Sequence, residues 1–394
     1  MTTFVRIWSR PTSALCTCLL LGCLLSGCAS APAKSPDNDA LRRSIHDAVP
    51  SSWRMMAASI DDISPLMVTP DLRDYLHSTV RSSAEPRERI LALTEAIIDA
   101  EGIGLVYDGD ATHTAAEAFL SGTGNCLGFS NLLVASAREL GLNARFELVL
   151  HRLSWQRVGE ALVGTLHVRV VSTVGAKRMA FDFYPLPLES GFTTQAISDA
   201  DALAHHLNNL AVKSMQDGDN ARAYGLLYKA IEASPGIGFI WSNLGTLLSR
   251  HELISLAEAA YKEALSISPD GLSALSNLQR LYVGQGAHAE AQELNDQLQR
   301  HREKNPYYHS SQAEQAYERG NYSEAVSHYK EAIRLKKNFA EFYTGLSESY
   351  AKLGNNKAAL RAARKAQAID EPKATSYRIR RSSQPETGSR ITRQ

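Results

Sequence analysis

Residues 122–141 read GTGNCLGFSNLLVASARELG. The apolar run after Cys126 stops at Gly141, and its length and composition predict a buried helix over 127–140. Cys126 then lies in the first turn of that helix, where unpaired backbone amides and the helix dipole stabilise a thiolate and lower the pKa of the thiol. This position makes Cys126 a candidate nucleophile.

The segments on either side of this helix predict a domain that combines helices with a sheet. Upstream, Leu41, Ile45 and Val49 recur at four-residue spacing, and Thr114 and Glu117 have the spacing of a capping box at a helix start. Downstream, β-branched, aromatic and alternating residues predict strands over 144–150, 163–171 and 178–184. Helices followed by a sheet indicate an α+β fold.

Two titratable residues in the predicted strands complete a candidate site with Cys126. His167 lies in one strand, and Asp182 lies in the next between two phenylalanines, where a carboxylate without a partner costs several kcal/mol. Residues 172–177 join the two strands and include Gly175, which permits a tight reversal, so the sequence predicts a hairpin that brings His167 and Asp182 side by side. The three residues would act as nucleophile, general base and orienting acid. Taken singly, each also fits a structural role.

The carboxyl-terminal half of the chain repeats with a period of 34 residues. The same alanine recurs in five copies, at Ala223, Ala257, Ala291, Ala325 and Ala359. Large residues follow four positions later in several copies and small ones seven positions later, a pattern that lets paired helices pack closely. The third copy departs from it with Asn295 and Leu298. The period predicts an all-α solenoid of five repeats over 203–372.

The amino terminus has the pattern of an export signal. Two arginines precede an apolar stretch over 14–25, which is too short to span a bilayer comfortably. The stretch ends in the letters LSGC, which resemble the lipobox of bacterial lipoproteins and imply acyl chains on Cys28. The alternative is a plain signal peptide cut elsewhere. We expect a signal peptide over 1–27 and a lipidated tether over 28–40.

The remaining cysteines and the overall charge indicate which kinds of bond and binding partner the sequence disfavours. Cys16, Cys18 and Cys23 lie in the predicted signal peptide and Cys28 would carry lipid, so Cys126 is the one thiol left and no intramolecular disulfide is expected. Lysine plus arginine equals aspartate plus glutamate at 42 each, which does not favour nucleic-acid binding.

Two further segments carry weaker signals. Residues 373–394 are basic and polar and predict a disordered tail, with binding to an anionic surface as the alternative. His205 and His206 are adjacent, which is not the spacing of metal ligands, and the sequence contains no phosphate loop or dinucleotide fingerprint. No metal or other cofactor is expected.

The segment GNCLGFSNL over 124–132, followed by His167 and Asp182, resembles the transglutaminase-like superfamily of papain-like thiol enzymes. The resemblance covers residues 105–190 within a predicted domain over 41–200. Many relatives carry an acidic and an aromatic residue after the cysteine and a tryptophan after the histidine, positions that are Leu127, Gly128 and Val168 here. The 34-residue pattern resembles the tetratricopeptide repeat.

These resemblances imply a function. Cys126, His167 and Asp182 would transfer an acyl group from a peptide or isopeptide amide through a thioester, to water or to an amine. Bacterial relatives favour hydrolysis. The repeats would hold a protein or peptide partner in their concave surface, and the lipid on Cys28 would fix the chain to the periplasmic face of the outer membrane. The alternative is a repeat scaffold whose cysteine domain is vestigial.

Overall fold

The computed structural model describes residues 6–7, 36–158, 161–175, 177–183, 194–370 and 377–378. Arg6–Ile7 pairs with Tyr377–Arg378 as a short antiparallel ladder. The predictions for the rest of the signal segment, for the lipidated Cys28 and for most of the basic tail lie outside the described residues. Among the residues described, no helix has the length and apolar character needed to cross a membrane.

The first part of the chain is mainly helical. Its elements are α1 (Pro36–Ala48), α2 (Ser51–Ser59), α3 (Pro70–Thr79), α4 (Pro86–Ile98), β1 (Val106–Tyr107), α5 (Ala115–Ser121), β2 (Thr123–Gly124) and α6 (Cys126–Glu139). The predicted capping box is present at the start of α5, since Thr114 and Glu117 each accept the other's backbone N–H. Gly122 ends that helix with a φ of 64°, a left-handed conformation that favours glycine.

A four-stranded antiparallel sheet follows, in the order β5-β4-β3-β6. Its strands are β3 (Ala144–Val158), β4 (Ala161–Val174), β5 (Lys177–Phe181) and β6 (Thr194–Ala196). Val174 pairs with Lys177 across a two-residue turn in which Gly175 has a φ of 59°. The predicted hairpin is therefore present. Its first strand is longer than expected, its second strand ends at Phe181 instead of residue 184, and its turn is tighter.

Helix α6 packs against one face of this sheet. Residues 127–137 of the helix are all buried, and they share a core with Phe146, Val170 and Phe181 from three neighbouring strands. A helix that is buried on nearly every side has apolar residues around its whole circumference, and the sequence of α6 shows this pattern. The prediction of an α+β domain is confirmed.

Ten helices over residues 199–370 form five antiparallel pairs. They are α7 (Asp199–Gln216), α8 (Asn220–Ala233), α9 (Gly238–Arg250), α10 (Ile254–Ile267), α11 (Leu272–Gly284), α12 (His288–Glu303), α13 (Pro306–Glu318), α14 (Tyr322–Leu335), α15 (Ala340–Lys352) and α16 (Asn356–Asp370). The five periodic alanines lie on the second helix of each pair and are buried. A Cβ atom on Gly245 would lie 2.7 Å from the ring of Tyr261, so small and large residues fit together across a pair. The predicted all-α solenoid is confirmed.

Helices α1 and α2 pack on the repeats. Ile45 and Trp53 are buried in the same core as Tyr224 of α8, and the rings of Trp53 and Tyr224 lie 5.5 Å apart. The predicted cysteine domain over 41–200 is therefore wrong at its start, because its first two helices bury their apolar faces against the solenoid. Periodicity shows that a helix has an apolar face, and it does not show which surface covers that face.

Candidate active site

Asn125 fixes the start of the cysteine helix. Its Oδ1 atom accepts hydrogen bonds from the backbone amides of Leu127 at 3.0 Å and Gly128 at 2.9 Å, and its amide nitrogen donates to Thr112 Oγ1 at 2.7 Å. An asparagine at this capping position satisfies two of the amides that a helix start leaves unpaired. Cys126 is the first residue of α6, and it is half-buried.

This cap corrects one expectation about the thiol. Two of the amides expected to stabilise a thiolate donate instead to Asn125. The side chain of His167 and the backbone amide of Val168 are the neighbours of Cys126 that lower the pKa of its thiol. The last paired residues of β4 and β5 are Val170 and Phe181, so no residue of β5 pairs with Val168. The thiol of Cys126 lies beside β4 at this position.

His167 and Asp182 are hydrogen-bonded through Nε2 and Oδ1, and both side chains are 3% exposed. Their placement differs from the prediction. Asp182 lies one residue beyond the end of β5, and the strand register continued from Val170 and Phe181 sets it opposite Arg169. His167 and Asp182 are thus diagonal neighbours, which long side chains still bridge. Phe183 holds the segment by stacking on Phe129, with ring centroids 4.8 Å apart.

The contacts among these residues shift the pKa of two of them. Burial raises the pKa of the Cys126 thiol, but the hydrogen bond and charge of His167 outweigh it, and the pKa is lowered below its ordinary value. For His167, burial opposes the charged form, while the hydrogen bonds with Asp182 and Cys126 raise the pKa to about 9. A lowered thiol pKa and a raised imidazole pKa favour a thiolate–imidazolium pair.

Two buried charged residues beside the site were not singled out from the sequence. Arg169 donates from Nε to Glu147 Oε2 at 2.8 Å, and its Nη1 atom lies 3.8 Å from Asp182 Oδ2. Arg178, which is partly exposed, also donates to Glu147. Arg169 stands two residues from His167 and therefore on the same face of β4. The two-residue spacing from His167 places Arg169 beside the site, but nothing in the sequence indicated which carboxylate Arg169 would pair with.

Gly128 explains one departure from the pattern of the relatives. A Cβ atom at this position would lie 3.3 Å from the carbonyl oxygen of Ala111 and 3.4 Å from the amide nitrogen of His113. The same segment is held by Asn131, which donates to the carbonyl of His113 at 2.9 Å. An aromatic or acidic side chain at position 128 would therefore displace the 111–113 backbone from the start of α6.

Other features of the described residues do not add to the site. They contain no group of three or more His, Cys, Asp or Glu that could hold a metal ion. A cavity of about 300 Å³ lies where α6 meets α7, lined by residues 62–66, by residues 199–203 in part, and by Asn131 and Phe146. None of Cys126, His167 and Asp182 lines it.

Family comparisons agree with this division of the chain. A model of the transglutaminase-like superfamily matches residues 73–179, which include Cys126 and His167. Tetratricopeptide repeat models match residues 254–314 and 314–377. The chain joins a transglutaminase-like domain to tetratricopeptide repeats. Three further helices, α7, α8 and α9, precede the matched residues and extend the repeat array towards the amino terminus.

Solved structures similar to the chain match less than half of it. MamA AMB-1 is 19% identical, with 43% of this chain and 92% of that chain covered and a TM-score of 0.23. MamA 41-end from Desulfovibrio magneticus RS-1 is 11% identical, with 46% and 100% covered and a TM-score of 0.25. YrrB, described as a TPR protein with an unusual peptide-binding site, is 18% identical, with 42% and 86% covered and a TM-score of 0.24. Scores this low say nothing about what the present chain binds. No curated protein matches the chain.

Proposed function

We propose that this chain is a lipid-anchored thiol acyl-transfer enzyme that cleaves or transamidates a peptide or isopeptide bond through a thioester on Cys126. The supporting observation is the grouping of Cys126, His167 and Asp182: His167 is hydrogen-bonded to Asp182, the pKa of the neighbouring thiol is lowered and that of the imidazole is raised. Such a pair supplies a nucleophile and a proton donor in the same pH range.

In the acylation step the Cys126 thiolate attacks the substrate carbonyl carbon and forms a tetrahedral intermediate. The imidazolium of His167 then gives its proton to the leaving amine, the carbon–nitrogen bond breaks, and a thioester remains on the sulfur. Asp182 keeps the ring of His167 in place and stabilises its positive charge. Because Asn125 occupies the amides of Leu127 and Gly128, the backbone N–H of Cys126 is the helix-start donor proposed for the oxyanion.

In the second step His167 acts as a base. It takes a proton from water or from a primary amine, which attacks the thioester carbonyl and releases the Cys126 thiolate. Water gives hydrolysis and an amine gives transamidation. We favour hydrolysis, as in a peptidase or amidase, and the two are separated by mass spectrometry of products formed with and without an added fluorescent primary amine.

The repeats are proposed to bind a protein partner or the substrate. Side-chain amides connect the first helices of three successive pairs: Asn243 donates to Asn208 at 2.7 Å, and Asn277 donates to Thr246 at 3.0 Å. Amide and hydroxyl groups of this kind pair readily with the backbone of an extended peptide. This arrangement supports peptide binding at the amino-terminal three pairs.

The catalytic proposal is tested by alkylation of Cys126 with iodoacetamide across a range of pH. We expect the rate to rise with a midpoint below the ordinary thiol pKa of about 8.5, and we expect His167→Ala to move that midpoint upwards. His77→Ala, which removes an exposed histidine on α3, is the matched control. Slow labelling that does not depend on His167 would exclude the enzyme.

The alternative is a non-catalytic repeat scaffold with a vestigial cysteine domain. It predicts that a Cys126→Ser variant captures the same partners as the wild-type chain and supports the same phenotype in cells. The proposed enzyme predicts that partner capture survives this substitution and the phenotype does not. Localisation to the periplasmic face of the outer membrane, through lipid on Cys28, is part of the same proposal.

A further inference from the structure

A series of titratable and charged side chains of alternating sign, most of them buried, leads from the half-buried cysteine to Arg178. In order they are Cys126, His167, Asp182, Arg169 and Glu147, with the partly exposed Arg178 at the outer end. His167, Arg169 and Glu147 lie on one face of the paired strands β3 and β4, and none of these three is more than 4% exposed. Charges this deeply buried persist only when each has a partner of opposite sign.

Arg169 is the link between the two carboxylates. Its Nε and Nη2 atoms donate to Glu147 Oε2 at 2.8 Å and 2.5 Å, which fixes the plane of the guanidinium. The third nitrogen, Nη1, then faces Asp182 Oδ2 at 3.8 Å. Among the described residues this oxygen makes no hydrogen bond, while Oδ1 of the same carboxylate is hydrogen-bonded to His167.

We propose that Arg169, held by Glu147, is a positioning residue that turns Asp182 towards His167 and so keeps the imidazole in contact with the Cys126 thiol. The inference rests on the proposed function, because it assigns a role in the same catalytic group. It adds two residues to that group, Arg169 and Glu147, neither of which touches the reacting atoms.

The chemistry of arginine suits this role. A guanidinium has donors along several directions in one plane, so it binds two carboxylates at once, whereas the single nitrogen of a lysine is a point charge on a flexible stem. Without Arg169, Glu147 would keep only the partly exposed Arg178, and Asp182 would lose the cation that faces its Oδ2 atom. Asp182 would then be able to turn away from His167, and the imidazolium would lose its stabilising charge.

The test uses the full-length chain and the pH profile of Cys126 alkylation by iodoacetamide. We expect Arg169→Met to lower the alkylation rate at neutral pH roughly 10- to 100-fold, the loss that is typical when a residue that orients a metal ligand is removed. The midpoint of the pH profile should also move upwards. Glu147→Gln, which leaves Arg169 in place but weakens its anchor, should change both in the same direction by less. Arg169→Lys should fall between Arg169→Met and wild type.

The matched control is Arg73→Met. Arg73 forms an arginine–glutamate pair with Glu139 at 2.6 Å in the same domain, but its side chain is about half exposed, so its loss should leave the profile unchanged. Thermal unfolding followed by circular dichroism identifies variants that do not fold. If Arg169→Met does not fold, Glu147→Gln and Arg169→Lys decide the question.

The outcomes separate this inference from the proposed function. A wild-type thiol that reacts in a His167-dependent way, together with folded Arg169 and Glu147 variants of unchanged profile, overturns the positioning role and leaves the enzyme standing. A wild-type thiol that labels slowly and independently of His167 overturns the enzyme itself. A shifted profile in the Arg169 and Glu147 variants, with Arg73→Met unchanged, supports both.

Discussion

Gly225 of α8 lies directly against Ala57 of α2. A methyl group on Gly225 would lie 3.0 Å from the Cα atom of Ala57 and 2.6 Å from Cδ1 of Ile60. Residues separated by more than 160 positions in the chain thus meet where only a glycine fits. This contact closes the core that the amino-terminal helices share with the first repeat.

Gly225→Ala is expected to destabilise the folded chain by about 1–3 kcal/mol, because the added methyl overpacks the α2–α8 contact and the α2 backbone must move. The measurement is the free energy of unfolding from chemical denaturation. Gly284→Ala is the control: no atom lies within 4 Å of the added methyl, and replacing this helical glycine should stabilise by up to roughly 1 kcal/mol. Equal changes in the free energy of unfolding for the two variants would contradict the close packing of α8 against α2.

The repeats expressed alone from residue 199 are expected to be less stable than in the full-length chain. Removing α1 and α2 uncovers apolar side chains of α8 such as Tyr224, and an exposed solenoid end promotes aggregation. Size-exclusion chromatography and thermal unfolding give the comparison. A peptide of residues 36–60 added in trans should raise the thermal midpoint of the fragment, and a fragment as stable as the full-length chain would refute the shared core.

The raised pKa of His167 predicts how stability depends on pH. A group whose pKa is higher in the folded than in the unfolded state stabilises fully below its unfolded value, near 6.5, and the contribution disappears as pH rises through about 9. The stability difference between wild type and His167→Gln should therefore shrink from pH 6 to pH 10 (about the span of the two pKa values). Urea denaturation at each pH measures it, and a difference that grows with pH would be the contrary result.

Asp182→Asn is expected to retain the fold and slow acyl transfer strongly. The carboxamide cannot stabilise the imidazolium, so the pKa of His167 should fall and that of Cys126 should rise. In a serine protease triad the equivalent change costs about 10⁴-fold in turnover. Alkylation of Cys126 at neutral pH is the readout, with Asp62→Asn, a change at a fully exposed position, as the control. Unchanged labelling would show that Asp182 plays no part in activating the thiol.

Cys28→Ser is expected to release the chain from the membrane fraction, because a serine cannot form the thioether that carries lipid. Metabolic labelling with an alkyne fatty acid should mark the wild-type chain and not the variant. The cysteines at positions 16, 18 and 23 provide controls, since each lies in the segment proposed to be removed. Retention of label in the Cys28 variant would contradict lipidation at this residue.

Local signals in the sequence were enough to predict much of the fold. Three signals each act within a few residues: the capping box at Thr114, the helix end at Gly141 and the chain reversal at Gly175. Each could therefore be predicted without knowledge of the rest of the chain. The 34-residue period is also local, because each helix pair contacts mainly its neighbours. These elements lie where the pattern placed them.

The sequence by itself determined that Cys126 begins a helix, that His167 lies on a strand with Asp182 at the end of the next one, and that helical repeats come after them. Only the tertiary structure decided that α1 and α2 cover the repeats, that Asp182 is diagonal to His167, and that Arg169 joins Asp182 to Glu147. The physical reason is that the pattern of apolar residues shows which face of a helix or strand is buried. Which residues contact that face depends on long-range packing and on strand register.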